Sequence, residues 1–326
     1  MYFNQISMHR FWLVLILIFS FQQGAYSQVI EHPFDPKSID EIPGTEIQAL
    51  MDFYEATQGL SWKENRNWLK SDTPSSWYGV SVRGGHVVEL ILIDNNLTGK
   101  IPATINLLPE LEVLYLFNNK LTGELPESIT KITNLKRINL YNNKIQGTIP
   151  KDIDQLKNLQ ELVLSQNNLT GTIPKSILKL KNIDGISLSG NHLEGEISDS
   201  LFVLEKLKWL SLSENNLSGE LPKGLFQLKS LEWLAIAKNQ IQGTIPINID
   251  QAQKLKHLDL SNNQLTGHIP DSIIHLNNLS LLNLSNNKLT GNVPPGLRQM
   301  ENIKRLVLSG NLLIEGIKLD NLNPEN

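Results

Sequence analysis

The sequence predicts an α/β fold: a right-handed solenoid, drawn out as a horseshoe or superhelix, with a concave parallel β-sheet and a helical N-terminal cap. Three observations carry this. From Val87 to Ile303 an apolar skeleton L-x-x-L-x-L-x-x-N-x-L-x-G-x-I-P returns every 24 residues, leading at positions 87, 111, 135, 159, 183, 207, 231, 255, 279 and 303 without an insertion. Within each unit, L-x-x-L-x-L alternates inward apolar with outward side chains, the period of a short strand. A unit of this size cannot bury its own apolar face and must stack on copies of itself.

In chain order, residues 1–27 read as a secretory signal peptide. His9 and Arg10 precede the apolar run Phe11–Phe21, and Ala25 and Ser27 stand in A-x-A-like positions before a cut after Ser27. The run is about half of the roughly 20 residues that span a bilayer, so the mature chain is expected to carry no transmembrane segment. Met8, directly before His9, offers an alternative start. Residues 28–44, with Pro33, Pro36 and Pro43, read as an extended leader, and residues 45–86 as an N-terminal cap.

In the cap, Ile47, Leu50, Met51 and Tyr54 have the spacing of an amphipathic helix, and Thr45 with Gln48 suggests a capping box at its start. Trp62, Trp68, Trp77 and Tyr78 are expected to form the cap's core over the open end of the solenoid. Ten 24-residue repeats then occupy 87–314, followed by a short tail at 315–326. The tenth unit is degenerate, with Gly316 one place late and no Pro after Ile317. A weak C-terminal cap is therefore expected, on a chain that is a monomer or an end-to-end dimer.

The recurrent Asn, from Asn95 to Asn311, falls where the chain leaves each strand, and its amide is suited to a ladder of backbone hydrogen bonds. The recurrent Gly permits a backbone that other residues resist. The Pro three positions later, replaced by Ser198 in the fifth repeat, is expected to hold the convex side to extended structure.

Composition narrows the function. The formal net charge is −4, from 29 Lys+Arg against 33 Asp+Glu, so no basic field points to nucleic acid. Cysteine is absent, which argues for a bacterial rather than a plant or animal exported protein, secreted or held at the cell surface or in the periplasm.

The runs LTGKIP from Leu97, LTGTIP from Leu169 and LTGHIP from Leu265 resemble the plant-type leucine-rich repeat. The segment from Ala49 to Leu69, with WYGVSV from Trp77 to Val82, is similar to the cap that precedes such repeats in exported bacterial and receptor-like proteins, without the cysteine pair of plant versions. The resemblance implies a non-enzymatic domain that binds a peptide, protein or glycan on its concave face. In layout the chain also resembles plant polygalacturonase-inhibiting proteins, which implies, as an alternative, an inhibitor or adaptor of an extracellular carbohydrate-active enzyme. An ectodomain-like component of a surface receptor complex is a further alternative.

The outward strand positions form three columns, and the third is Ser or Ala after Ile93, Phe117 and Tyr141. These three departures, with Tyr115 and Arg137, suggest an exposed aromatic and cationic patch of the kind that anchors interfaces. Trp209 and Trp233 hold equivalent positions on adjacent strands, roughly 5 Å apart and close enough to stack, with His257 and Asp259 beside them. His257, Asp259 and Ser261 imitate a catalytic triad in composition, but alternate residues on one strand lie in a line roughly 6.5 Å apart, which does not seat a hydroxyl on an oriented base. The remaining histidines lack metal-ligand spacing, so no metal and no cofactor are expected. Sequons at Asn96, Asn168, Asn216, Asn278 and Asn283 mostly coincide with repeat consensus.

Overall fold

The computed structural model describes residues 42–71 and 73–314, all within a unit that spans Asp40–Asn326. The expected signal peptide, nearly all of the leader and the tail lie outside the described residues.

Helix α1 (Gly44–Ala56) opens the cap. Its first turn is closed by the carbonyl of Pro43, which accepts from the N–H of Glu46 and of Ile47. The expected capping box does not form: Thr45 lies inside the helix, and Gln48 Nε2 donates to Asp52 Oδ1. The buried face also differs from the expected one, running through Glu46, Ala49, Leu50, Phe53 and Tyr54. The cause is Glu46, whose carboxylate turns inward to accept from the backbone N–H of Val87 at 2.8 Å and to meet His86 Nδ1 at 2.6 Å. That clasp rotates the helix so that Ile47 and Met51 are only partly covered.

Trp62, Trp68 and Trp77 are buried in the cap, with Trp68 against the other two at ring separations of 5.0 Å and each indole N–H bonded to a backbone carbonyl. Tyr78 is more exposed than expected and lies beside Arg66.

The main sheet has eleven strands. A hairpin of β1 (Val80–Arg83) and β2 (His86–Ile91) is antiparallel and adds one strand to the ten expected. Parallel strands follow in chain order: β3 (Val113–Tyr115), β4 (Arg137–Asn139), β5 (Glu161–Val163), β6 (Gly185–Ser187), β7 (Trp209–Ser211), β8 (Trp233–Ala235), β9 (His257–Asp259), β10 (Leu281–Asn283) and β11 (Arg305–Val307). Each residue pairs with the one 24 places later, as Glu161 with Gly185 and Gly185 with Trp209. One continuous apolar core runs beneath, from Ile42 to Leu308.

The asparagine ladder is present. Asn167 Oδ1 accepts from Ile145 N in the preceding coil at 2.9 Å, while its Nδ2 donates to Leu140 O at 3.0 Å and Leu164 O at 3.1 Å. Asn143, Asn191, Asn215, Asn239, Asn263 and Asn287 repeat the pattern. Opposite the sheet the chain is not extended, as expected from its prolines, but turns through short 3-10 helices such as Ala103–Leu107 and Lys175–Lys179. Proline stands just before these helices, where its fixed φ suits helix entry and its carbonyl accepts the first bond, as Pro102 O does from Ile105 N. In the fifth repeat, Ser198 takes that place and its side chain accepts from Ser200 N.

At the far end, Leu312 and Ile314 are exposed on the last described coil, and the sheet ends there on β11.

Candidate functional site

The exposed face of the main sheet brings the sequence-singled residues onto one surface, because residues two apart on a strand share a face and strands repeat in register. At its N-terminal end, Ile93, Phe117, Arg137 and Tyr141 are half-buried. Tyr115 departs from expectation: it is only 3% exposed, its ring 6.2 Å from that of Phe117 and its hydroxyl 3.4 Å from Glu161 Oε2. It forms the floor of the patch rather than its surface. Burial pushes the Tyr141 hydroxyl well above the usual tyrosine range, so it stays a neutral donor.

Further along, Trp209 and Trp233 are register partners on β7 and β8, as expected. Their rings take different neighbours. Trp209 covers Gly185 on β6, so closely that a Cβ built there would fall 1.8 Å from the indole. Trp233 instead lies against His257, with ring centroids 4.2 Å apart and planes inclined by 32°. Burial of that imidazole lowers its pKa, and Lys256 and Lys304 push in the same direction, so His257 is neutral at pH 7. Its Nε2 is 3.5 Å from Ser280 Oγ.

Asp259 is engaged elsewhere. Its Oδ1 accepts from Ser261 N at 3.0 Å and Ser261 Oγ at 2.6 Å, and its Oδ2 accepts from Asn283 Nδ2 at 3.2 Å. Here the serine donates directly to the carboxylate, a strand-surface network rather than a hydroxyl held on an imidazole.

Sequence reasoning missed one residue at the centre of this face. Glu161 on β5 is only 7% exposed, and its Oε1 is buried without a hydrogen-bond partner. Burial raises its pKa to about 7, against the attraction of Arg137, and Asp184 raises it further. Asp184, just ahead of β6, is also raised by burial, although Lys208 Nζ stands 3.8 Å away. The available signal was a charged residue in the first column beside the column's single glycine, but the column showed only that Glu161 faces outward, not that its neighbours would cover it. Along the edge of the face, Glu112 joins Arg83 and Lys136, and Glu232 joins Lys256, as exposed or half-exposed ion pairs. Among the described residues no cluster of three or more His, Asp or Glu is arranged to hold a metal, and no helix is long and apolar enough to cross a membrane.

A sequence profile described as "Leucine rich repeat" matches residues 110–169, 133–193, 195–241 and 253–313, more than half of the chain. The chain belongs to the leucine-rich repeat family.

Among solved structures, this leucine-rich repeat chain is similar to the plant peptide hormone receptor RGFR1 in complex with RGF2, at 37% identity and a TM-score of 0.66, over 67% of this chain and 35% of that one. It is similar to the Arabidopsis receptor kinase HAESA in complex with the peptide hormone IDA and the co-receptor SERK1, at 37% identity and a TM-score of 0.65, over 67% of this chain and 36% of that one. The chain thus spans about a third of the length of these receptors. A plant ice-binding protein matches more evenly, at 27% identity and a TM-score of 0.74, over 84% of this chain and 89% of that one. No match is found among curated protein sequences. The solenoid is therefore of the kind found in these plant receptor structures.

Proposed function

We propose that this leucine-rich repeat protein is exported and non-enzymatic, and that it recognises a protein, peptide or surface glycan across the exposed face of its main sheet. The observation that carries the reading is the placement of Phe117, Arg137, Tyr141, Trp209 and Trp233 on one rigid surface where serine is the default of the third column. Strands locked by the asparagine ladder hold these anchors before a partner arrives, so little ordering entropy is lost on association. The two receptor structures contain peptide hormones, and that supports a polypeptide over a glycan as the ligand class here. The test is the double variant Phe117→Ser with Tyr141→Ser, which restores the column default. It should keep the wild-type circular dichroism spectrum and lose at least tenfold in affinity for a partner captured from the host surface. Undiminished binding would remove the N-terminal patch from the site.

A second reading comes from the plant ice-binding protein, matched along most of both chains. Repeat-equivalent positions carry Thr98, Thr122, Thr170, Thr266 and Thr290, but Gln146, Glu194, Ser218 and Gln242 interrupt the rank. Thermal hysteresis and ice recrystallisation assays on the purified chain test it directly.

A further inference from the structure

Short strands outside the main sheet give each coil a second exposed surface, and at mid-solenoid this surface is not flat. Glu194–Glu196 pairs in parallel with Asn216–Ser218. Across the pair runs an open groove of about 620 Å³, lined by Thr172, Glu194, Gly195, Asn216, Ser218 and Gln240. The sequence accounts for the dip. At the positions that recur every 24 residues from Thr98 to Thr290, Ser218 is the shortest side chain, and it stands between Glu194 and Gln242. Beside it, Gly195 lowers the floor. At Gly147, Gly219 and Gly243 the stem of a glutamate from the preceding coil closes over the glycine, whereas Gly195 meets only the short side chain of Thr172.

The groove's polar groups are uncommitted. Elsewhere on these strands the hydroxyls of Thr122, Thr170, Thr266 and Thr290 each donate to the carbonyl of a glycine in the preceding coil. Ser218, at the equivalent position, makes no such bond. Among the described residues, the side chains of Thr172, Glu194, Asn216 and Gln240 also have no hydrogen-bond or ion-pair partner, and all four are exposed.

Two carboxamides and two hydroxyls can each donate and accept, and the Glu194 carboxylate accepts. No aliphatic or aromatic side chain lines the groove, so it offers nothing to an apolar group. Glu194, with Glu196 on the same strand and Glu220 in the next coil, disfavours an anion. Asn216 and Gln240 are repeat-equivalent and stand one coil apart, about 4.8 Å, so successive units of a chain crossing the coils meet one carboxamide after the other. A chain whose groups all both donate and accept, and which carries no charge, is a neutral oligosaccharide.

We infer that this groove is a second binding site, for a neutral oligosaccharide laid across the coils from Thr172 to Gln240. It is separate from the polypeptide site on the main sheet and uses none of its anchors.

The test is calorimetry on the full chain with neutral hexasaccharides of glucose, in α-1,4, β-1,4 and β-1,3 linkage, and of N-acetylglucosamine, with hexagalacturonate as an acidic chain of the same length. At least one neutral hexasaccharide should bind saturably, with a millimolar or lower Kd and at least tenfold more tightly than hexagalacturonate. The double variant Asn216→Ala with Gln240→Ala should lose at least tenfold in that affinity. Ser218→Gln, which installs the side chain that Gln146 and Gln242 already carry at this position, should fill the dip and abolish binding; unfolding midpoints equal to wild type show that folding is not the cause. No saturable binding by any neutral hexasaccharide, tighter binding of hexagalacturonate, or affinity unchanged in both groove variants overturns the assignment. Sugar binding that survives the Phe117 and Tyr141 double variant but not the groove variants supports it, and the reverse places the sugar on the main sheet and refutes it. If polypeptide capture depends on Phe117 and Tyr141 while no hexasaccharide binds, the groove alone is refuted.

Discussion

Replacing Glu161 with Gln keeps the shape of a buried side chain and removes its ability to ionise, and the effect on stability is set by pH. Burial is the largest influence on this carboxyl and raises its pKa from 4.5 to about 7, with Asp184 adding to the shift and Arg137 and the Tyr115 hydroxyl opposing it. Those groups, with Lys208 beside Asp184, are the charged and titratable neighbours that face it from β3, β4 and the start of β6 and β7. Between about pH 4.5 and about pH 7 the folded chain holds a proton on Glu161 that the unfolded chain has released. The stabilising contribution is therefore complete below that window and is lost as pH rises through it. Above the window both states are ionised, and the folded state carries the full cost of a buried charge. A raised pKa of this size corresponds to about 3 kcal/mol. Urea unfolding of both proteins from about pH 4 to about pH 8 should give a wild-type minus variant difference that declines by roughly that amount across the window. His257, whose pKa burial lowers, gives both curves an opposite slope and cancels in the difference. Parallel curves, with no change in the difference across the window, would refute the account of Glu161 as a carboxyl destabilised by burial.

Two further perturbations test the scaffold. Glu46→Ala leaves the buried N–H of Val87 without its acceptor and should cost about 2–4 kcal/mol, confined to the cap because coils interact mainly with their neighbours. The readout is a red shift of the emission of Trp62, Trp68 and Trp77 at denaturant levels where the central coils remain folded; a transition unchanged from wild type would argue that the clasp contributes nothing. Asn167→Ala strips the backbone groups of Ile145, Leu140 and Leu164 of their partner in mid-solenoid and should cost about 2–5 kcal/mol. Amide exchange should then quicken in the two coils that flank it before the rest of the chain, and uniform quickening would contradict a local ladder.

The coils were legible because their rule is repetitive: Leu90, Leu114 and Leu162 are fully buried where the alternation places them, and Gly123 and Gly171 take positive φ where the motif puts glycine. What escaped depends on contacts between coils or with the cap. The inward turn of Glu46 follows from an unpaired N–H some forty residues away, and no local pattern encodes it. The 3-10 turns on the far side were hidden because proline restricts φ alike for extended chain and for the residue that enters a helix. In the candidate site, the columns named the residues that face outward but not their depth. Tyr115 sinks because its hydroxyl finds Glu161, and Trp209 turns to Gly185 rather than to Trp233 because glycine leaves room on that side only.

The strict 24-residue register also makes the sheet a vernier. Coils advance about 4.8 Å per strand, whereas an extended polypeptide laid across them presents same-side residues about every 6.7 Å. The two scales nearly coincide after three coils, about 14 Å, against two such steps of ligand, about 13 Å. Arg137 on β4 and Trp209 on β7 are three coils apart, a spacing that one extended polypeptide matches without strain. Inserting a single consensus repeat between them would leave every coil properly stacked and move the two positions to about 19 Å apart, in step with three ligand steps, about 20 Å, instead of two.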